Sequence, residues 1–305
     1  MKLPAYLNIN YPNDEWNWHF LDGGVGDVAF AGVLACLYPV LRFVLDTVVF
    51  KPAAEYFVLP NTKKSDEPPT PQQRLTVFKF QESAWKAVIY VSFAALAMLA
   101  SYNERFLTDR HYFWKGCKGL PCNYNVSKLI RLLYCLELGF YAQAIPVLLF
   151  WEVRRKDFWA NLGHHLATLI LIGYSFLVNF TKVGTMVFLV HDVNDIFMEM
   201  AKMTRYAGKN TATTALFVLF VISWFTTRIT IFPVHVLRST LFDASEMIGK
   251  KYGISPHPHW EIFNGFLFFL FGLHIYWSYL ILRIALRQLR EGKTDDIREE
   301  DDDSD

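Results

Sequence analysis

Four cysteines, no stretch of polar–apolar alternation and a net charge of only +1 from 30 basic and 29 acidic residues are the first absences in this 305-residue sequence. Without a charge excess there is no global field to draw a nucleic-acid partner, and none is expected. Without alternation, no strand pattern competes with helices. No internal repeat and no heptad pattern is found. Met1 to Gly26 is polar and aromatic rather than basic and then apolar, so no cleavable signal peptide is expected. The first apolar segment is expected to act as the insertion signal.

What the sequence has in quantity is apolar surface: 53% hydrophobic and 17% aromatic residues. They fall in long blocks, approximately Val28 to Phe50, Trp85 to Ser101, Leu129 to Trp151, Phe158 to Val178, Val183 to Lys202, Thr213 to Val236 and Ile262 to Leu286. Each is close to the ~20 residues a helix needs to cross the hydrocarbon core. An all-α, polytopic transmembrane bundle of about seven helices is expected, the fifth block being the most heavily charged. With a lumenal N-terminus, seven crossings place the Lys51 to Lys79 loop, Arg154-Arg155-Lys156, Arg205 with Lys209, and the C-terminal tail in the cytosol, as positive-inside charge requires. The basic Asn103 to Lys128 loop runs against that rule.

That loop falls on the lumenal side. It holds Cys117 and Cys122 and the sequon Asn125-Val126-Ser127, so a disulfide and a glycan on Asn125 are candidates. A second sequon, Asn179-Phe180-Thr181, lies against the membrane and is expected to stay unmodified. Asn61 to Gln73 reads as a flexible cytosolic linker. The acidic tail, residues 291–305, reads as disordered, with Ser304 among acids as a candidate phosphorylation site.

Charged groups inside a membrane helix cost several kcal/mol and mark a site or its buried partner. The fourth block carries His164, His165 and Thr168; the fifth carries His191, Asp192, Asp195 and Glu199, the three acids repeating at three and four residues on one helix face. At 1.5 Å rise per residue the histidine pair lies about 10 Å, and Asp195 roughly 15 Å, from the cytosolic side. The short Asn179 to Lys182 turn makes the two helices antiparallel, so these groups are expected to share one polar chamber open to the cytosol. Three readings follow: a self-satisfied polar network, a metal site, and acid/base or nucleophilic chemistry by a histidine oriented through a carboxylate. Membrane di-iron enzymes use many more clustered histidines, and His19, His111, His235, His257, His259 and His274 are scattered, so no metal is expected. The third reading uses every member of the set.

The same residues carry a resemblance. Arg155-Lys156-Asp157-Phe158, His164-His165 with Thr168, Asn179-Phe180 with Val183-Gly184, and His191-Asp192 with Asp195 resemble the signature of ceramide synthases within the TLC-domain family. Lys79 to Trp85 resembles the start of that domain, Arg228 with Pro233 its sixth helix, and Leu273 to Trp277 with Leu280 to Arg283 its last. The resemblance implies residues 1–78 as N-terminus, first helix and linker, and 79–290 as a catalytic TLC domain. Lys51 to Glu82 is too short for the homeobox-like insert of some animal members, so DNA binding is not implied.

The implied reaction is N-acylation of a sphingoid base by a fatty acyl-CoA in the endoplasmic reticulum membrane, with acyl-CoA as cosubstrate and no metal or redox cofactor. A neutral imidazole either deprotonates the amine, or attacks the thioester to give an acyl-imidazole that the amine resolves. On this reading His164 is the acyl acceptor, with His165, His191, Asp192 and Asp195 orienting imidazoles and moving protons. Asp192 or Asp195 would select an imidazole tautomer. Arg154, Arg155 and Lys156 are candidates for attracting CoA phosphates; Thr168 and Arg228, with Glu137, Gln143 and His274, are candidates for lining the chamber or bridging helices. Membrane lipid is a further partner, and assembly as a homo- or heterodimer stays open. A non-catalytic TLC-domain protein that senses lipid or assists membrane insertion is the alternative, against which the intact His and Asp set argues.

Overall fold

The computed structural model describes residues 24–59, 68–255 and 257–291, and is helical with loops throughout them. The expectations for the N-terminal segment, most of the linker and the acidic tail with Ser304 lie outside the described residues. Seven long helices follow in order: α1 (Val25–Val58), α2 (Pro71–Ser101), α3 (Lys128–Phe150), α4 (Phe158–Leu177), α5 (Thr181–Tyr206), α6 (Asn210–Lys250) and α7 (His259–Glu291). All but α4 extend beyond the apolar blocks at one end or both. The α2 start illustrates why: Thr70 and Gln73 cap each other's backbone N–H and Pro71 opens the helix, a local signal that lies 14 residues before apolar Trp85.

Five helices, α1, α2, α3, α6 and α7, are long and apolar enough to cross a membrane by length and composition. The fourth and fifth blocks do form helices, but Asn161, His164 and His165 dilute α4, and acids and Lys202 dilute α5. The two helices that fall short of that criterion are the two that carry His164, His165, His191, Asp192 and Asp195.

The turn between α4 and α5 differs from the expected pairing in one respect. Joined only by Val178 to Phe180, with Asn179 at φ 57°, the two helices touch sparsely; α5 packs chiefly on α2 and α6, and α4 on α3 and α7. The gap left between α4 and α5 is where the polar residues face each other. Two close approaches hold the frame. A Cβ on Gly139 of α3 would come within 2.9 Å of the Ala31 carbonyl oxygen of α1, and one on Gly184 of α5 would occupy the place of the Tyr134 hydroxyl.

The Asn103 to Lys128 loop folds as a cap over the other end of the bundle. Cys117 and Cys122 are disulfide-bonded, Trp114 Nε1 donates to Ser239 Oγ at 2.9 Å, and Arg110 pairs with Asp243 at 2.8 Å. The segment from Phe242 to Trp260, between the sixth and seventh apolar blocks, is mostly helix: α6 runs on to Lys250 through π-helical turns that begin at Phe225. The apolar pattern stops near Val236, but the α-carbon path continues because Ser239, Thr240 and Asp243 bond to the cap and to Asn264 of α7.

Candidate active site

His164 and His165 stand on α4 with ring centroids 5.7 Å apart, and His191 of α5 faces His164 across the gap at 6.4 Å with nearly parallel rings. Trp277 of α7 abuts His164 at 5.5 Å and is fixed by its Nε1 donating to Asp157 Oδ2 at 3.1 Å. His164 is buried and its Nδ1 has no hydrogen-bond partner among the described residues; the same holds for Nδ1 of half-buried His165. A buried imidazole nitrogen with no partner is an available nucleophile or base.

His191 is held differently from the expectation that a carboxylate would select its tautomer. Its Nδ1 donates to the Val187 carbonyl at 2.7 Å, since a carbonyl only accepts. Its Nε2 therefore accepts from His274 Nε2 at 3.1 Å, which leaves His274 Nδ1 bare. The carbonyl one turn back on α5 is already in reach of the ring, so no carboxylate is needed there. Asp195 instead binds Arg228 at 2.6 Å, and Arg228 also donates to the His191 carbonyl at 3.2 Å. Arg228 projects from the first π-helical turns of α6, where the wider helix reorients side chains, and its guanidinium lies 4.8 Å from the Trp224 ring.

The expected single chamber is two cavities. One, of about 1650 Å³, is bordered by His164, His165, Asp195 and Arg228 and by the charged Lys86, Arg155, Lys202 and Arg205. The other, of about 940 Å³, is walled mostly by apolar residues of α4, α5, α6, α7 and the cap, with Thr168, His191, Asp192 and Glu137 among its polar lining. Tyr141 of α3 borders both. The boundary separates residues one turn apart: His164 and Asp195 border the charged cavity, Thr168 and His191 the apolar one.

Of the three basic residues at the start of α4, only Arg155 borders the charged cavity, and it bonds Glu82 at 3.0 Å. Arg154 is exposed over the Phe158 ring at 4.3 Å, and Lys156 is exposed. Lys86 bridges Glu82 and Glu152 at 3.1 and 2.8 Å. In the cap Asn125 is exposed and two residues from the α3 N-cap Ser127, while the Asn179 amide nitrogen is engaged by the Cys122 and Tyr124 carbonyls. Among the described residues no three His, Cys, Asp or Glu side chains converge as a metal site. Tyr141 is the residue that sequence reading misses; one Tyr among 15 in an aromatic-rich chain carries no signal of its own.

Residues 79–283 match the TLC domain family. The chain is 36% identical over 287 residues to ceramide synthase 1 LOH3 of Arabidopsis thaliana, covering 92% of this chain and 93% of that protein. It is 35% identical to ceramide synthase LOH1 of the same plant, with 92% of each covered. Human ceramide synthase 5 is 36% identical over 234 residues, 76% of this chain and 55% of that protein. With a family match over most of its length and relatives of this identity along nearly all of it, the chain belongs to the TLC-domain family, in its ceramide synthase branch.

Proposed function

We propose that the protein is a ceramide synthase that transfers a fatty acyl group from acyl-CoA to the amine of a sphingoid base. The observation that carries the reading is the position of His164, unpartnered at Nδ1, beside the boundary between a cavity edged with Lys and Arg and an apolar one. The phosphates of CoA match the first, and an alkyl chain matches the second.

In the route we favour, His164 attacks the thioester carbonyl carbon, the C–S bond breaks, and the thiolate leaves with the imidazole proton as CoA thiol. The free amine then attacks the acyl-imidazole; the new C–N bond forms, the bond to His164 breaks, and the imidazole nitrogen takes back a proton from the amine. Trp277 and Tyr141 hold water away from the acyl carbon. Arg228 fixes Asp195 and the α5 backbone that carries His191, so these act by positioning. The chemistry so drawn needs no metal or redox group.

The reading includes residence in the endoplasmic reticulum membrane with the Arg155 and Arg205 end cytosolic. The disulfide and the exposed sequon at the opposite end support that orientation. Purified protein incubated with sphinganine and acyl-CoAs of graded length is expected to yield the amide and free CoA in equal amounts. No amide at any length with folded protein favours the non-catalytic alternative.

A further inference from the structure

One carboxyl pair stands apart from the ion-paired acids around the candidate site. Asp195 has Arg228, Glu199 has Lys202, and Glu82 has Lys86 and Arg155. Glu137 of α3 and Asp192 of α5 have each other: the two side chains stand together on the wall of the apolar cavity, and neither has a Lys or Arg within ion-pair distance among the described residues. Glu137 is 0% and Asp192 2% exposed. No N–H or O–H of the described residues donates to either Glu137 oxygen or to Asp192 Oδ2. Two carboxyls that share one buried site do not both ionise, so a single negative charge is the most the pair carries. A buried anion with no cation is costly, and this one faces open space, on the wall of the apolar cavity.

We propose that the Glu137 and Asp192 pair is the binding site and proton acceptor for the ammonium group of the sphingoid base. The inference rests on the acyl-transfer reading above. Of the reacting groups only the amine is cationic; the thioester is neutral and CoA is anionic. A long-chain ammonium therefore fits an apolar cavity with a single negative charge on its wall, and CoA does not. Thr168 Oγ1, also without a partner, borders the same cavity and offers a contact to the hydroxyls beside the amine.

Tyr141, one turn from Glu137 on α3 and 6.5 Å from His164 between ring centroids, marks the short path from the pair to the acyl carbon. The step balances: the ammonium gives one proton to the singly charged pair, which becomes two neutral carboxylic acids. The free amine then attacks the acyl carbon, its second proton goes to His164, and the pair returns its proton to solvent between turnovers.

The test is Glu137→Gln in the full chain, assayed with acyl-CoA and two acceptors. Hydroxylamine is largely unprotonated at neutral pH and needs no base; sphinganine does. The variant is expected to form hydroxamate at the wild-type rate and to lose amide formation from sphinganine by about 100-fold, within the range of general-base contributions. Loss of both acceptors together makes Glu137 structural, and retention of both makes it idle; either overturns the proposal. If Glu137→Gln does not fold, Glu137→Asp replaces it, with hydroxamate unchanged and amide formation slowed about tenfold; equal effects on both acceptors overturn the proposal. Wild type that makes hydroxamate but no amide from any sphingoid base instead removes the sphingoid base as acceptor from the proposed function, and the assignment with it.

Discussion

Arg228 Nη2 lies 2.6 Å from Asp195 Oδ1 and 3.2 Å from the His191 carbonyl, so one guanidinium joins α6 to two turns of α5 at the candidate site. Both partners are largely buried. Removing either leaves the other charge unpaired, and breaking such a buried pair costs about 3–5 kcal/mol. Asp195→Asn and Arg228→Met are each expected to lower the melting temperature in detergent, and the double substitution to recover much of the loss. Additive losses in the double variant argue against the pairing.

The end of α6 and the start of α7 give the apolar cavity its far wall, through Ala244, Ile248, His259 and Trp260. Chain-length preference is expected to follow that wall. Ile248→Ala opens space for longer chains and Ala244→Leu removes it, each methylene gained or lost being worth about 0.8 kcal/mol, roughly a fourfold change in preference. Competition between acyl-CoAs of graded length reads the shift; an unchanged product profile at normal activity places the length determinant elsewhere.

Closing the short loop between Cys117 and Cys122 stabilises the cap by about 2 kcal/mol on loop-entropy grounds. Cys117→Ser with Cys122→Ser is expected to lower thermal stability, and reductant to do the same to wild type while leaving the variant unaffected. A variant as stable as wild type removes the structural role of the bond. In cells, Asn125→Gln is expected to abolish a glycan mobility shift and Asn179→Gln to leave it, because the Asn179 amide is already engaged.

Much of this was legible in the sequence for a physical reason: His and Asp in apolar helices are too costly to be incidental, so His164, His165, His191, Asp192 and Asp195 stand out, while Arg228 enters through the family resemblance. Which pairs they form was not legible. Periodicity puts His191 and Asp195 on one face, but it does not show that the Val187 carbonyl takes the His191 N–H or that Arg228 takes Asp195. The π-helical path of α6 and the splay of α4 from α5, which divides one expected chamber into two, are tertiary outcomes with no local signal. Glu137 shows the same limit. An acid in an apolar helix is visible, whereas its contact with Asp192 is made only when α3 meets α5.

Orientation is tested by a protease. A tag placed after Asp305 is expected to be digested in sealed microsomes, as a cytosolic C-terminus requires, and intact-mass analysis of the same material reads phosphate on Ser304. Protection of the tag reverses the orientation.

The most direct measurement is single-turnover mixing of purified enzyme with acyl-CoA alone, quenched rapidly. The account expects free CoA in a burst of up to one equivalent and a mass increment of one acyl group on the peptide carrying His164, both absent in His164→Ala, with sphinganine discharging the label as amide. Folded enzyme that makes ceramide but shows neither burst nor adduct contradicts it, and leaves His164 as a general base in a direct transfer from thioester to amine.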